Sequence, residues 1–197
     1  MIVYLLVEGR LDATVARRIV NHCGGSVGTV CGRKGLPYIE ERIDDFNQSA
    51  QGIPILTLVD LMDTGFDCPV DVVKNWLPHR EANMLLRVVV REIESWILAD
   101  RTAIARFFGI REPLVPHHPE RLDDPKEALV DLARSSRYQS LKNDIVPDDP
   151  TINAQGPAYT SRMQHFVRDQ WSIDQAKQRS LSLRRCAEAV RRLVGRS

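Results

Sequence analysis

Short apolar runs alternate with amphipathic helical stretches through the first 108 residues, and this alternation limits what the chain can fold into. The strand-like runs are "IVYLLV" (2–7), "SVGTVCG" (26–32), "IPILTLVD" (53–60) and "MLLRVVV" (84–90). They are apolar on both faces, which suits a parallel sheet covered by helices on either side. Between them, "LDATVARRIVNHC" (11–23) puts Leu11, Val15 and Ile19 on one helical stripe, and Gly24-Gly25 stops it. "LPYIEERIDDFNQSA" (36–50) has Ile39, Ile43 and Phe46 as its core face, with Pro37 tolerated in the first turn. "PVDVVKNWL" (69–77) reads as a short helix, and "EIESWILADRTAIARFF" (92–108) returns to helical spacing. The expected order is β-α-β-α-β-α-β, then helix.

Beyond residue 108 the texture changes. "GIREPLVPHHPERLDDP" reads as loop, "KEALVDLARSS" (126–136) as a short helix, "VPDDPTINAQGPAY" as loop again, and residues 161–194 as helical. The expected organisation is an α/β core over 1–108 and a loop-rich, then helical, basic extension over 109–197 packed on it. Net charge is +1 and identifies no partner, but residues 157–197 carry nine Lys/Arg against three Asp/Glu. That asymmetry points to an anionic partner. Four cysteines without a CxxC pair look like neither a zinc site nor a disulfide framework. No basic leader precedes the first apolar run, and no stretch is long enough to span a bilayer, so a cytoplasmic chain with no membrane partner is expected.

The strand ends carry acid. Glu8 follows the first run, and Asp60 ends the third, with Asp63 and Asp67 in the loop after it. Glu92 and Glu94 follow the fourth. Parallel strands put these ends on one edge, where ligands of open α/β sheets sit. Carboxylates gathered there repel one another unless a cation lies between them, and hard oxygen ligands suit Mg²⁺ or Mn²⁺. Singly, Glu8 or Asp60 is read as structural, an acid that caps the following helix and favours its N-terminal dipole.

Glu directly after the first strand and an Asp-rich loop after the third resemble the TOPRIM domain of topoisomerases, primases and nucleases of the overcoming-lysogenization-defect type. More narrowly, "VEGRLDATVARRIV", "LVDLMDTGFDCP" and "VVVREIESWILAD" resemble a family of small bacterial TOPRIM-like proteins encoded beside ABC- or AAA-type ATPases, in contexts suggesting phage defence. The resemblance implies a TOPRIM-like four-stranded parallel sheet with helices on both faces, with Glu8 as the first-strand glutamate and Asp60 as the first Asp of a DxD. Two positions on stands Met62, and the next acid is Asp63. Either Asp63 substitutes through a shifted loop, or one metal ligand is missing. Glu92, Glu94, Trp96 and Asp100 belong to the matched signature. If a helix starts near 92, Glu94 lies about 200° round from Glu92, which favours Glu94 as ligand unless Glu92 still belongs to the strand end. Trp96 reads as packing.

The leading expectation is a Mg²⁺- or Mn²⁺-dependent nuclease or phosphodiesterase, acting as effector of an ATPase-linked defence system. Its metal ligands come from Glu8, Asp60, Asp63, Asp67, Glu92 and Glu94. Catalysis falls to Glu8, Asp60, Asp63 and Glu94, with a lysine, Lys126 or Lys142, to offset transition-state charge; Lys142 is carried forward as the candidate. Arg184, Arg185, Arg191 and Arg192 read either as a solvated helix face or as a phosphate-tracking patch for DNA or RNA, tRNA included. An ABC- or AAA-type ATPase and a second copy of the chain complete the expected partners. His117-His118 has no partner spacing for a metal site. No GxxxxGK[ST], GxGxxG or GxSxG motif is present, so nucleotide hydrolysis by this chain is not expected. Two other readings stand beside this one: a non-catalytic TOPRIM-fold assembly partner of the ATPase, supported by Met62, and a receiver-like switch with Asp60 as phosphoacceptor.

Overall fold

The computed structural model describes residues 1–195. In chain order the elements are β1 (Ile2–Val7), α1 (Arg10–His22), β2 (Ser26–Gly32), α2 (Leu36–Ser49), β3 (Ile55–Asp60), α3 (Pro69–Trp76), β4 (Met84–Val89), α4 (Ile93–Leu98), α5 (Arg101–Phe108), α6 (Pro125–Arg134), α7 (Gln139–Ile145), α8 (Tyr159–Asp169), α9 (Ile173–Ala176) and α10 (Leu181–Val194). They form two compact units: Met1–Val90 with the C-terminal stretch from Ser182, and Arg91–Leu181. This division differs from the expected 1–108 and 109–197. The segment after residue 90 belongs to the second unit, and α10 returns to the first. Apolar stripes show that a helix is buried, not against what. Positions 196 and 197 lie outside the described residues.

The first unit holds a four-stranded sheet in the order β2-β1-β3-β4, parallel throughout. This is the α/β sheet the sequence calls for. Leu6, Thr57 and Leu86 stand in register and share a face. On that face Ile55, Val59, Met84 and Val88 pack with Ile39 and Ile43 of α2 and Val72 of α3. The register row Leu5, Leu56 and Leu85 lies on the other face. There α1 packs against the strands, and Arg87 meets Cys186 of α10. Cys23, at the end of α1, donates its Sγ–H to the Ala187 carbonyl at 3.4 Å, tying α10 to α1. Each fully buried leucine of this core (Leu5, Leu6, Leu56, Leu58) contributes about 1.5–3 kcal/mol. The strands therefore end together, Val7 beside Gly32 and Leu58, and Asp60 beside Val89.

The second unit is helical. The single helix expected over 92–108 is broken: α4 ends at Leu98 and α5 starts at Arg101. The reason is Asp100, buried at the break, whose Oδ1 accepts from Ala103 N at 3.2 Å and whose Oδ2 accepts from Ser172 N at 2.8 Å. It caps α5 and holds the start of α9 at the same time. The helical stretch expected over 161–194 likewise divides into α8, α9 and α10, and α7 forms where no element was expected. Arg101 organises the proline-rich loop: its Nε donates to the Val115 carbonyl and Nη2 to that of Glu112, each at 2.9 Å. Trp96 is fully buried and its carbonyl accepts from Trp171 Nε1 at 3.2 Å, so it packs, as expected.

Candidate metal centre

Glu8 leaves β1 at the shared strand edge. Its position is fixed from three sides. Its carbonyl accepts from Gly35 N at 3.1 Å, its Oε1 accepts from Asp60 N at 2.7 Å, and Gly9 follows it directly. Gly32, at φ +84°, lies so close to β1 that an added Cβ would stand 2.3 Å from the Val7 carbonyl oxygen. No larger residue fits there, and β2 closes on the end of β1 for that reason. A Cβ on Gly9 would meet Asp12 Oδ2 at 2.8 Å, so the glycine makes room for a second carboxylate in the first turn of α1.

These surroundings set the charge of Glu8. Burial, partly opposed by the Asp60 N–H, pushes its carboxyl up to about 7 from the usual 4.5. The charges of Asp12, Asp63 and Glu40 add to the rise. No ion pair reaches Glu8 among the described residues. Asp60 is half-buried at the last position of β3. The chain then makes one 3-10 turn, Leu61–Asp63, closed by Thr64 Oγ1 donating to the Leu61 carbonyl at 2.8 Å. Leu61 is buried beneath it, while Met62 points outward, 45% exposed. Asp63, one residue further round, is the acid of this turn whose charge acts on Glu8. Asp67 is exposed in the connection to α3 and is not among the charges acting on Glu8.

In the second unit, Glu92 and Glu94 are both buried. The sequence left two arrangements open: both on one helix and on opposite sides of it, or Glu92 still at the strand end. Glu92 is extended (φ −144°, ψ 171°) as the N-cap of α4, and only Glu94 is helical. A carboxylate oxygen of each therefore comes within 4.8 Å of the other. Two like charges so close need a counter-charge. Lys126, in the first turn of α6, supplies it: Nζ lies 3.1 Å from Glu92 Oε2 and 4.0 Å from Glu94 Oε1, and Lys126 N also donates to Glu92 Oε1. Tyr159 of α8, fully buried, donates its hydroxyl to Glu94 Oε1 at 2.9 Å. Burial raises Glu94 to about 7 against the pull of Lys126, with Glu92 adding to the rise. Burial, with the charge of Glu94, drives the Tyr159 hydroxyl well above its ordinary value.

The lysine at the glutamates is thus Lys126. Lys142 sits half-buried on α7 and makes no ion pair or side-chain hydrogen bond among the described residues. Arg184, Arg185, Arg191 and Arg192 all lie on the exposed side of α10, opposite Leu183, Cys186, Val190 and Leu193. Three groups were not foreseen. Asp12 has a readable signal, since it stands one helical turn past Glu8 in "VEGRLD". Glu40 and Tyr159 have none, being distant in sequence from the carboxylates they act on.

No family model matches the chain, and no curated protein matches it. Among solved structures, the C-terminal region of the OLD protein of Xanthomonas campestris pv. campestris is similar over 98% of this chain. In the platinum-phased structure 93% of that chain is covered at 13% identity, with a TM-score of 0.46. In the mercury-phased structure 96% is covered at 13% identity, with a TM-score of 0.44.

Proposed function

We propose that this chain is a divalent-metal-dependent phosphodiester hydrolase, a nuclease that takes Mg²⁺ or Mn²⁺ at the acidic edge of its sheet. The observation that carries the reading is Glu8: a half-buried carboxylate under the charges of Asp12, Asp63 and Glu40, with Asp60 beside it and no ion pair of its own among the described residues. An all-oxygen donor set of this kind fits a hard cation. Glu8, Asp60 and Asp63 would hold it. When bound, such an ion activates water and offsets charge on a phosphoryl transition state. The chain's own residues do the rest. Asp60 N fixes the Glu8 carboxylate, so its oxygens are aimed before any ligand arrives. Glu94, held near 7, can give or take a proton at neutral pH, directly or through water. Lys126, not Lys142, is the lysine placed to steady the Glu92 and Glu94 charges.

The arginines of α10 would bind DNA or RNA through phosphates. By resemblance of "VEGRLDATVARRIV" and "VVVREIESWILAD", the chain would serve as effector of an ATPase-linked defence pair. The test is incubation of the purified protein, alone and with a neighbouring ATPase, with DNA and tRNA in Mg²⁺ or Mn²⁺. Cleavage that is lost in Glu8→Ala supports the reading; no cleavage in any combination, or cleavage unchanged in Glu8→Ala, refutes it. Met62, exposed where the DxD pattern has its second acid, favours the second reading, a non-catalytic partner of the ATPase. That reading expects no cleavage and unchanged ATPase stimulation in Glu8→Ala.

A further inference from the structure

Away from the acidic edge, the first unit carries a pocket of about 160 Å³ lined by Arg80, Met84, Leu85, Arg87, Arg192 and Leu193. Arg80 comes from the connection between α3 and β4, Arg87 from β4, and Arg192 from the last turn of α10. Three arginines from three separate segments therefore line one concavity, and no acid lines it. Arginine is always charged, so gathering three without a counter-ion is unfavourable. Among the described residues none of the three makes an ion pair. Arg87 sharpens the point. It leans on Cys186, whose thiol burial pushes up to about 12. Its Nε is buried without a hydrogen-bond partner. An unsatisfied buried donor on a charged group is unfavourable, and an anion held by the same guanidinium would offset part of that penalty.

We infer that this pocket binds a phosphate group. Forked guanidinium donors match phosphate oxygens bidentately, and a dianion uses three arginines where a carboxylate would use one or two. The site is separate from the acidic edge: it opens at Met84 and Leu85, whereas Asp60 pairs with Val89 at the far end of β4, about 17 Å along the strand. It does not rest on the metal reading, and its test contains no divalent ion.

The experiment is calorimetric titration in EDTA at constant ionic strength, with inorganic phosphate, acetate, a 5′-phosphorylated dinucleotide and the same dinucleotide without its terminal phosphate. Phosphate should bind and acetate should not. Arg80→Ala and Arg192→Ala, both at exposed positions, should each weaken phosphate by about tenfold. Arg17→Ala, exposed on α1 and outside the pocket, should leave it unchanged. Thermal unfolding of each variant shows that the fold is kept. If only the terminal monoester binds, the source is a free phosphorylated molecule; if the internal diester binds equally, it is a nucleic-acid backbone. Failure of phosphate to bind, equal binding by acetate, or equal affinity in the Arg80 and Arg192 variants overturns the assignment.

Discussion

Glu8 in the first unit, half-buried, and Glu94 in the second, buried, are both carboxylates held at about 7, but they are held there by different company. Glu94 has a lysine and a buried tyrosine hydroxyl turned toward it, so its charge is answered within the protein. Glu8 has one backbone N–H and a ring of other acids. A carboxylate whose counter-charge is built in behaves as structure when mutated. One surrounded by like charge should become more stable on neutralisation and lose a ligand instead. The same value near 7 thus covers two different energetic situations, and substitution separates them.

The largest expected difference is in metal affinity. Loss of an outer-shell partner of a metal ligand costs 10–100-fold, so Glu8→Gln should weaken Mn²⁺ binding by about 100-fold or more, read by calorimetry. Stability should move the other way. Glu94→Ala leaves the Tyr159 hydroxyl without its acceptor and Lys126 with one carboxylate fewer. A destabilisation of about 1–3 kcal/mol is expected in urea unfolding, whereas metal-free Glu8→Gln should unfold at the same or a higher concentration. Tyr159→Phe, which removes only the hydroxyl, should cost about 1 kcal/mol.

A pH series cuts across both sites. Each folded carboxyl keeps its proton up to about 7, while the unfolded chain loses it near 4.5. Between those values the folded state binds more protons, so metal-free stability should fall as pH rises from 4.5 to 7. Glu8→Gln should remove its own share of that slope and leave the share of Glu94. Mn²⁺ binding should strengthen over the same interval in the natural protein. A slope unchanged by Glu8→Gln would show that Glu8 titrates normally. The smallest effect is expected from Met62→Asp. The position is exposed and the fold should not notice; a gain of a few-fold in Mn²⁺ affinity would show that the turn can supply another ligand.

Much of the first unit was legible because parallel strands write their period and their ends into the chain. "IPILTLVD" states both where β3 runs and that it finishes in acid. That Glu8 and Asp60 lie at one edge followed from this alone; the hydrogen bond from Asp60 N to Glu8 did not. The second unit was less legible. The break at Asp100 depends on a bond to Ser172, and the partner of Glu94 is Tyr159; neither leaves a periodic trace. Lys126 and Lys142 looked alike as surface lysines, and only the geometry of α6 separates them. The orientation of Glu92 turned on whether it was helical or extended, which spacing cannot decide.

Mn²⁺ titration at pH 8 into the natural protein and Glu8→Gln, with both shown to be folded, addresses the central claim most directly. A binding heat in the natural protein that vanishes in Glu8→Gln is the expected result. The same heat in both, or none in either, would contradict a cation at the end of β1 and leave the carboxylates of that edge without a metal to hold.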